Sequence, residues 1–409
     1  MNASKGNYVM GVGRIVIVGA GLAGVRTCEE LRRAGHDGEI VLVGEEQHLP
    51  YDRPPLSKDV VRGETDDVTL KPAEYYEELR VELRLGAAAT ALDPTARTVT
   101  LADGAVLDYD HAVIATGLTP RRIPGLPDLA GVHVLRTLED AHALRGDLVA
   151  GRSALVVGAG FIGCEVAASM RARGLDVVLV EPQPTPLASV LGEQVGALVA
   201  RLHKDEGVDV RSGVGLASLV GDDRVTGAVL GDGSEVAADL VVVGIGSHPV
   251  TGWVEGSGIA LAERAAGGGV LADATGRTSD PNVWVVGDVA SWQQPEGEHR
   301  RVEHWTNVGE QAKVAAHALV TGAAPDAPAQ VAYFWSDQYD VKIQALGEPS
   351  GTDTVHVVRD DGRKFLAYYE RDGALVAVVG GGLAGPVMKM RAKVAGRVPI
   401  AEVLTAAGV

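Results

Sequence analysis

The 409-residue chain has only two cysteines, Cys28 and Cys164, and no CxxC or CxxxxC pair. This count and spacing exclude a redox-active disulfide of the kind that disulfide reductases use. Two thiolates are also too few for an iron–sulfur cluster, which takes four. Each cysteine lies just past a glycine-rich turn on a predicted helix. We therefore interpret both as small, buried, apolar residues.

Positive charge is also scarce. The 37 lysines and arginines stand against 54 aspartates and glutamates, which gives a formal net charge of -17. This balance argues against nucleic acid and anionic membrane surfaces as partners. No apolar run reaches the roughly 18–20 residues of a membrane-spanning helix. The opening MNASKGNYVMGVGR lacks the continuous apolar region of a secretory signal, so we predict a cytoplasmic protein.

Glycine, in contrast, is abundant, with 53 residues, and one glycine-rich stretch organises the chain. A predicted strand at Ile15–Val18 runs into the turn GAGLAG and then into a helix. In such a turn Gly19 permits the tight bend, Gly21 lets the backbone approach a pyrophosphate, and Gly24 lets helix and strand pack closely. The next strand ends at Glu45, where a carboxylate is positioned to bind an adenosine ribose. This order of elements predicts a dinucleotide-binding βαβ unit.

A proline-rich loop, HLPYDRPPLSKDVV, follows this unit. Its prolines make it stiff and non-helical, and Ser57 is predicted to cap a short helix after it. The cations Arg53 and Lys58 flank the prolines, and two interpretations stay open. They are either solvated surface groups or groups that lie against the cofactor whose phosphates the first turn binds.

The same plan occurs a second time. A predicted strand at Ala154–Val157 leads into Gly158, Gly160 and Gly163, then into a helix and a second strand that ends at Glu181. The two halves of the chain therefore form an internal repeat at the level of whole domains. A chain with two dinucleotide sites needs two dinucleotides, and a flavin with a nicotinamide is the pair with obvious chemistry.

Each half is closed by an apolar return strand, one ending at Thr116-Gly117 and the other at Gly246. We include Thr116 and Gly246 among the predicted cofactor-binding residues. The acid at Glu181 suits the ribose 2′-hydroxyl of NAD and repels a 2′-phosphate. The segment Pro182–Pro186 offers no lysine or arginine to hold such a phosphate, so we predict NADH rather than NADPH.

Two later motifs need interpretation. The strand Val283–Val286 ends in Gly287-Asp288, where the carboxylate either caps a helix or binds the ribityl and pyrophosphate region of a flavin. We favour the flavin. A third literal GxGxxG, at 380–385, is not followed within about 20 residues by a strand that ends in an acid. We interpret it as a glycine-rich turn inside a small C-terminal α+β module.

Together these motifs resemble the FAD-dependent, NADH-using ferredoxin reductases of bacterial oxygenase systems, of the putidaredoxin reductase and biphenyl dioxygenase reductase type. The resemblance covers nearly the whole chain, and its most specific pieces are LPYDRPPLSK, LRTLEDA, GAGFIGCEVA, the VGD that ends at Asp288, and YFWSDQYD. It implies an α/β fold like that of glutathione reductase, with two Rossmann-like domains and a small C-terminal α+β domain. The implied domains are an FAD domain at 1–120 and 248–327, an NAD domain at 121–247 and an interface-like domain at 328–409.

The resemblance also implies residue roles. Non-covalent FAD would be bound at its ribose by Glu45, at its adenine by the backbone of Ala89, and beside its isoalloxazine ring by Trp305. Further FAD contacts would come from Ala23, Arg53, Lys58, Arg136 and Asp288. Glu165 resembles the family carboxylate that pairs with the lysine near the flavin, and we regard Lys58 and Glu165 as the catalytic pair. The NAD site would be formed by Gly158, Gly160, Gly163 and Glu181.

The implied reaction is hydride transfer from NADH to FAD, followed by single-electron transfer to a small iron–sulfur ferredoxin that supplies an oxygenase. Because small ferredoxins are generally acidic, the candidate docking residues are cations, namely Arg300, Arg301, Lys313, Lys389, Arg391, Lys393 and Arg397. We expect a monomer or a weak dimer. Three alternatives stay open: an NADH oxidase or peroxidase, a reductase of a small molecule, and a redox-sensing flavoprotein of the apoptosis-inducing-factor type. The first of these normally carries a redox cysteine, and this chain has none at a suitable position.

Overall fold

The computed structural model describes residues 12–295, 297–325 and 331–408. They form two compact units. The first comprises the described residues within 1–52, 69–119 and 248–328, and the second those within 53–68, 120–247 and 329–409. The resemblance implies that the loop 53–68 belongs to the FAD domain, whereas in the structure this loop packs within the second unit. The division into three functional domains stays a prediction.

The described residues form both strands and helices. The strands of its first part are β1 (Ile15–Val18), β2 (Ile40–Val43), β3 (Val81–Arg84), β4 (Ala89–Asp93), β5 (Thr98–Leu101), β6 (Val106–Asp108), β7 (His111–Ile114), β8 (Leu118–Pro120) and β9 (Val132–His133). The strands of its middle part are β10 (Ser153–Val157), β11 (Asp176–Glu181), β12 (Asp209–Ser212), β13 (Leu216–Gly221), β14 (Val225–Leu230), β15 (Glu235–Ala237), β16 (Leu240–Val243) and β17 (Ser247–Pro249). The strands of its last part are β18 (Val270–Ala272), β19 (Val283–Val285), β20 (Ala290–Gln293), β21 (His299–Arg301), β22 (Tyr333–Gln338), β23 (Val341–Gly347), β24 (Thr354–Asp360), β25 (Phe365–Arg371) and β26 (Ala374–Gly381).

The helices are α1 (Leu22–Arg33), α2 (Asp59–Arg62), α3 (Ala73–Glu78), α4 (Leu138–Asp147), α5 (Phe161–Ala172), α6 (Ala188–Asp205), α7 (Trp305–Thr321), α8 (Ala384–Met388), α9 (Arg391–Ala395) and α10 (Ile400–Ala407). Short 3₁₀ turns occupy Pro54–Ser57, Gly252–Val254 and Arg264–Ala266. Among the described residues, none of the helices combines the length and the apolar character needed to cross a bilayer.

A five-stranded parallel sheet in the order β19-β7-β1-β2-β3 forms the core of the first unit. Every residue of β1 and β2 is buried, as expected for parallel strands that are covered on both faces. The register pairs Val18 with both Val43 and Ile114, so β1, β2 and β7 end level with one another. The turn after β1 and the acid after β2 therefore reach the same edge of the sheet.

The second unit contains a parallel sheet of the same kind, in the order β12-β11-β10-β16-β9. Here Val157 pairs with both Val180 and Val243, so the strands that precede the turn, the acid and the return segment again end level. Ligands of open parallel sheets bind at this carboxyl edge. The repeat predicted from the sequence is therefore a repeat of sheet register as well as of motif.

The C-terminal part of the second unit is an antiparallel sheet in the order β22-β23-β26-β25-β24. Gly380 and Gly381 of the third GxGxxG motif are the last residues of β26, and both pair antiparallel with β23 and β25. No βαβ unit forms here within the described residues, as predicted. The glycines have a packing role instead, because a Cβ at Gly381 would lie 2.4 Å from the ring of the buried Phe365.

One local prediction is wrong. Ser57 does not cap the short helix after the proline-rich loop, because α2 begins at Asp59 with Lys58 as its N-cap residue and without a side-chain cap. The Ser57 hydroxyl instead donates a hydrogen bond to the carboxylate of Glu165 at 2.5 Å. A cap would need the Ser57 oxygen to accept from a backbone N–H of the helix, but the N-cap position belongs to Lys58 and the Ser57 side chain is turned toward Glu165.

The packing of the last strand gives a stability prediction. Gly381→Ala should lower the free energy of unfolding by about 1–3 kcal/mol, because its methyl group must displace the Phe365 ring in a close-packed core. Gly385→Ala is the matched control, since a Cβ there meets nothing within 4 Å in the described chain and the residue lies in α8. It should be neutral or slightly stabilising. Urea unfolding of both variants would measure the difference, and equal midpoints would contradict the packing argument.

Candidate active site

The first glycine-rich turn connects the buried end of β1 to the start of α1. At Gly19 the backbone φ is +118°, and a Cβ there would lie 2.2 Å from the carbonyl oxygen of Ala115. At Gly24 a Cβ would lie 2.1 Å from the carbonyl oxygen of Gly19. Both positions therefore require glycine. At Gly21, in contrast, a Cβ would meet no described atom within 4 Å, so this face of the turn has room for a ligand.

The second turn repeats this geometry between β10 and α5. Gly158 has a φ of +96°, and a Cβ there would lie 2.4 Å from the carbonyl oxygen of Gly244. At Gly163 a Cβ would lie 1.9 Å from the carbonyl oxygen of Gly158. At Gly160 the space is open again within the described part of the chain. The three glycines thus have the same three roles in both turns.

Both helices that follow these turns have an N-terminus without a capping side chain and without an acidic residue in the first turn. The N-cap residues are Gly21 and Gly160, neither of which offers a side-chain cap, and neither helix has an acidic residue in its first turn. The first N–H groups of a helix carry a partial positive charge and seek an acceptor. These two helix ends therefore favour an anionic ligand such as a pyrophosphate.

Glu45 lies at the carboxyl edge of the first sheet, after the end of β2, and it is exposed. The preceding Gly44 lies against the first turn, because a Cβ there would be 2.7 Å from the Cβ of Ala20. The carbonyl oxygen of Gly44 accepts a hydrogen bond from the backbone N–H of Ala87 at 2.8 Å. This bond brings the segment that leads to Ala89 beside the end of β2, so the two residues predicted to bind adenosine belong to neighbouring segments.

Glu181 is the last residue of β11, and its carboxylate is held against the second turn. It accepts hydrogen bonds from the backbone N–H of Ala159 at 2.7 Å and of Gln183 at 2.9 Å. The adjacent strand β12 carries Arg211, whose guanidinium pairs with Asp209 at 2.8 Å. The charge beside the second turn is therefore negative, which favours a ribose hydroxyl over a phosphate.

The return strands β7 and β16 end at the carboxyl edges of the two parallel sheets, beside the glycine-rich turns, as the sequence predicts. The hydroxyl of Thr116 donates to the carbonyl oxygen of Val250 at 2.8 Å, so its proton is used within the first unit. The carbonyl oxygen of Gly246 accepts from the backbone N–H of Arg121 at 2.9 Å in the second unit. Gly246 is exposed and has a φ of +92°.

Asp288 follows β19 at the edge of the first sheet. A Cβ at the preceding Gly287 would lie 2.8 Å from the Cβ of Ala23, so this segment packs on the first turn of α1. The N–H of Gly287 donates to the buried side chain of Gln311 at 2.8 Å. The next element is the strand β20, so Asp288 does not cap a helix that follows it. The assignment of Asp288 to a flavin stays a prediction.

Trp305 is the first residue of α7, which packs against α1 in the first unit. Its indole N–H donates to the carboxylate of Asp52 at 2.9 Å. The guanidinium of Arg26, on α1, lies 5.8 Å from the centre of the indole ring. These contacts fix the orientation of a flat aromatic surface near the N-terminal part of α1.

Lys58 and Glu165 form a buried ion pair in the second unit, 8% and 4% exposed, with 2.7 Å between Nζ and Oε2. The ammonium also donates to the carbonyl oxygen of Pro54 at 3.0 Å. The carboxylate accepts from the hydroxyls of Ser57 at 2.5 Å and Ser336 at 2.7 Å. The pairing implied by the resemblance is thus present, and every charged atom that takes part has a partner.

Arg53 and Arg136 also lie together in the second unit. The guanidinium of Arg53 donates to the carbonyl oxygen of Arg136. The backbone N–H of Arg136 donates to the carboxylate of Asp140 at 2.9 Å, and Asp140 forms a capping box with Thr137 at the start of α4. The helix cap thereby fixes the segment that carries Arg136.

Both cysteines are fully buried, as predicted, and neither forms a disulfide within the described residues. Burial raises the pKa of the Cys28 thiol to about 12 and raises the pKa of the Cys164 thiol strongly as well. Neither thiol is therefore a nucleophile near neutral pH. Among the described residues, no group of histidine, cysteine and acidic side chains could hold a metal ion.

Comparison with known proteins agrees with this geometry. The model of the pyridine nucleotide-disulphide oxidoreductase family matches residues 13–312, and the reductase C-terminal model matches residues 333–407. The probable ferredoxin reductase CtmF of Castellaniella defragrans is 40% identical over 374 residues, which cover 89% of this chain and 89% of that protein. The ferredoxin–NAD(+) reductase component of the p-cumate 2,3-dioxygenase system of Pseudomonas putida is 42% identical over 340 residues, 82% of both chains. The chain belongs to the ferredoxin–NAD(+) reductase family.

Structural comparison supports the same assignment. A chain of the covalent putidaredoxin reductase–putidaredoxin complex matches this reductase with a TM-score of 0.89 at 32% identity, over 95% of this chain and 94% of that one. The predicted fold class and the predicted enzyme class are confirmed. The family is flavin-dependent and uses a pyridine nucleotide. The roles of individual residues in binding and catalysis stay predictions.

Sequence reasoning missed several residues that support the site of the reductase. Gln311 and Asp52 orient Gly287 and Trp305, and nothing in their local sequence distinguishes them. Ser336 and Gln338 could have been recognised, because they alternate with half-buried positions on β22 and so occupy the inward face of a strand. Two buried polar residues at such spacing need partners.

The buried ion pair gives a second stability prediction. Lys58→Met leaves the Glu165 carboxylate buried without its cation and should lower the free energy of unfolding by about 3–5 kcal/mol. The double variant Lys58→Met/Glu165→Gln should regain much of this loss, because no unpaired charge remains. Urea unfolding of both variants measures the coupling.

A control for this experiment is Arg211→Met, which breaks the exposed pair with Asp209 in the same unit and should cost less than about 1 kcal/mol. Equal losses for Lys58→Met and Arg211→Met would show that the buried pair is not the constraint inferred here.

Proposed function

We propose that this reductase binds FAD and NADH and passes electrons from NADH, through the flavin, to a small iron–sulfur ferredoxin that serves an oxygenase. The observation that carries the proposal is the pair of glycine-rich turns with the same geometry. Each has an open face at its middle glycine, an uncapped helix N-terminus and an acid at the end of the next strand. Two such sites in one chain of a flavin-dependent family account for one flavin and one nicotinamide dinucleotide.

The fit to FAD rests on the first unit. The open face at Gly21 and the α1 N-terminus suit a pyrophosphate, and the exposed Glu45 suits a ribose. The residues of this unit that we assign to FAD are Gly19, Gly21, Ala23, Gly24, Glu45, Ala89, Thr116, Asp288 and Trp305. Arg53, Lys58 and Arg136 of the second unit are assigned to FAD from the family motifs alone.

The second turn is proposed as the NADH site, formed by Gly158, Gly160, Gly163, Glu181 and Gly246. Its selectivity for NADH follows from the carboxylate of Glu181. Two backbone N–H groups fix this carboxylate beside the turn, and a 2′-phosphate there would meet a negative charge with no cation supplied by the segment that follows.

When bound, FAD supplies the redox chemistry by accepting a hydride from NADH and releasing electrons singly. The protein contributes position and charge. Lys58 is the catalytic cation in this proposal, because it can stabilise negative charge on a reduced flavin. Glu165 keeps that ammonium in one place, since Lys58 is buried and bonded to it at 2.7 Å.

The partner is proposed from the family and from charge. Relatives are named as components of dioxygenase systems, and one matching structure is a complex with putidaredoxin. Among the candidate docking cations, Arg300 and Lys313 of the first unit and Lys389 and Arg397 of the second are exposed. Arg301 instead pairs with Glu303 at 2.5 Å and is less available to a partner. A cytoplasmic monomer or weak dimer remains our prediction.

The cysteines disfavour the alternative of an oxidase or peroxidase. These enzymes normally use a reactive thiol, whereas both thiols here are buried and their pKa values are raised. A small-molecule reductase and a redox sensor carry no specific support in the described residues, and the following assay distinguishes them.

The proposal predicts that one small [2Fe–2S] ferredoxin will accelerate NADH-dependent cytochrome c reduction by the purified, FAD-loaded protein. Flavin released by denaturation should be FAD. Such a small carrier is expected to couple the two-electron donor to the one-electron acceptor far faster than the flavoprotein alone. NADH consumption that depends only on oxygen would indicate an oxidase or a small-molecule reductase. The absence of any turnover with FAD bound would favour a sensor.

The role of Glu181 predicts a change in nucleotide preference. Glu181→Gln removes the negative charge and keeps an acceptor, so the ratio of kcat/KM for NADH over NADPH should fall about tenfold, which corresponds to about 1.4 kcal/mol. Glu193→Gln, at an exposed position on α6, is the control and should leave the ratio unchanged. A ratio of kcat/KM that is the same in both variants would show that Glu181 does not determine the preference for NADH.

A further inference from the structure

A row of buried polar groups extends from Glu165 into the C-terminal sheet of the second unit. Ser336, Gln338 and His203 are each 0% exposed and lie beside a core of aliphatic and aromatic side chains. The row runs from Glu165 to Ser336 at 2.7 Å, to Gln338 at 3.2 Å, to His203 at 3.0 Å and to the hydroxyl of Tyr339 at 2.9 Å. Such groups are costly in a core unless all of them are bonded.

The donors and acceptors of this row can be assigned from Glu165 outward. The carboxylate of an ion pair only accepts, so the Ser336 hydroxyl donates to it. The Ser336 oxygen can then accept from the amide group of Gln338, which leaves the amide oxygen facing His203. This oxygen needs a donor, so Nε2 of His203 carries the proton.

The outer end of the row completes the assignment. Desolvation by burial lowers the pKa of His203 to about 4, so the ring is neutral at pH 7 and Nδ1 is an acceptor. The hydroxyl of Tyr339 therefore donates to Nδ1. The ring of Tyr339 also contacts the His203 ring edge to face, with 5.3 Å between centroids. Tyr339 has a φ of +57°, a conformation that a bulky residue keeps only when its surroundings require it.

We infer that Ser336, Gln338, His203 and Tyr339 form a hydrogen-bonded chain in which every donor points toward Glu165. This chain holds the Glu165 carboxylate in the orientation in which it pairs with Lys58. The residues are positioning residues rather than catalytic ones. The inference rests on the proposed function for its kinetic consequence, because Lys58 is the group proposed to act on the flavin. Its structural part, the direction of the bonds, does not depend on that function.

A chain with one direction has a physical advantage over isolated hydrogen bonds. Each donor is polarised by the next, and the last bond ends on a charge, so the bonds strengthen one another in a low-dielectric core. Ser57 and Lys58 bind only Oε2 of Glu165, whereas Ser336 binds Oε1. The chain therefore fixes the rotation of the carboxylate, which the bonds to Oε2 alone leave free.

The direction can be measured without NADH. In the full-length, FAD-loaded protein labelled with [¹⁵N]histidine, the ring signal that is lost in His203→Gln should be that of a neutral histidine protonated at Nε2 at pH 7. Protonation at Nδ1, or a charged ring, would reverse the hydrogen bond between His203 and Tyr339 and overturn the inference. Because no turnover is needed, this result is separate from the success or failure of the proposed function.

The positioning role is tested by single-turnover reduction of the bound flavin by NADH. Ser336→Ala and Gln338→Met should slow this step by about tenfold, the size of effect that supporting hydrogen bonds have at other sites. Ser336→Thr restores the hydroxyl and should recover the rate. Gln344→Met is the matched control, because Gln344 is a buried glutamine on the neighbouring strand β23 that donates to Tyr333 instead.

The control should lose stability as Gln338→Met does but keep its reduction rate within about twofold of wild type. Wild-type rates in both Ser336→Ala and Gln338→Met would overturn the positioning role. Equal slowing in Gln344→Met would do so as well, since the effect would then follow from a weakened sheet. If Ser336→Ala or Gln338→Met does not fold, the histidine measurement, which uses neither variant, still decides the direction of the chain.

Discussion

The close approach of a helix to the backbone of its preceding strand is the constraint on which both parallel sheets depend. At Gly24 and Gly163 the space for a side chain is taken by the carbonyl oxygens of Gly19 and Gly158. The helix can therefore start directly above the strand end, and its N–H groups point to the carboxyl edge of the sheet. Level strand ends bring an acid and a return segment to the same place. The middle glycines, Gly21 and Gly160, face open space at this edge, since a Cβ at either would meet nothing within 4 Å in the described chain.

Most of this architecture is predictable from the sequence because its determinants are local. Apolar strands, glycine spacing and terminal acids occur within about 30 residues in each half, and the βαβ unit is one continuous segment. The buried ion pair is different. Lys58 and Glu165 are 107 residues apart, and Ser336 is another 171 residues on. The family resemblance indicates the pair. The alternation on β22 identifies Ser336 only as a residue of the inward face and does not give Glu165 as its partner, and the local pattern assigns Ser57 to a helix cap instead. The packing of the loop 53–68 within the second unit is likewise a tertiary property.

The polar interior of the second unit carries an energetic cost that an apolar interior would avoid. A buried ion pair is often no more stabilising than well-packed aliphatic side chains of the same volume. Lys58 and Glu165 are nevertheless surrounded by complete hydrogen bonding, with Pro54 on the ammonium and two serines on the carboxylate. A fully satisfied network of this kind holds a charge in a single position, whereas an apolar core holds none. The network therefore fixes the position of a charge and does not serve mainly to stabilise the fold.

The three literal GxGxxG motifs show why spacing alone does not identify a nucleotide site. In two of them the first and last glycines are required by carbonyl oxygens of the same turn or of the return segment, and a parallel strand with an acid follows. In the third, Gly381 is required by the ring of Phe365, Gly380 by the side chain of Val387, and both lie in an antiparallel strand. The same sequence pattern thus has two structural causes. In the first two motifs glycine allows a close approach of the backbone, and in the third it leaves room for neighbouring side chains. The third motif is also followed by a short helix without a side-chain cap, and a Cβ at its Gly385 would meet nothing within 4 Å in the described chain. The parallel strand and the acid that follow the motif are therefore the features that separate a binding turn from a packing turn.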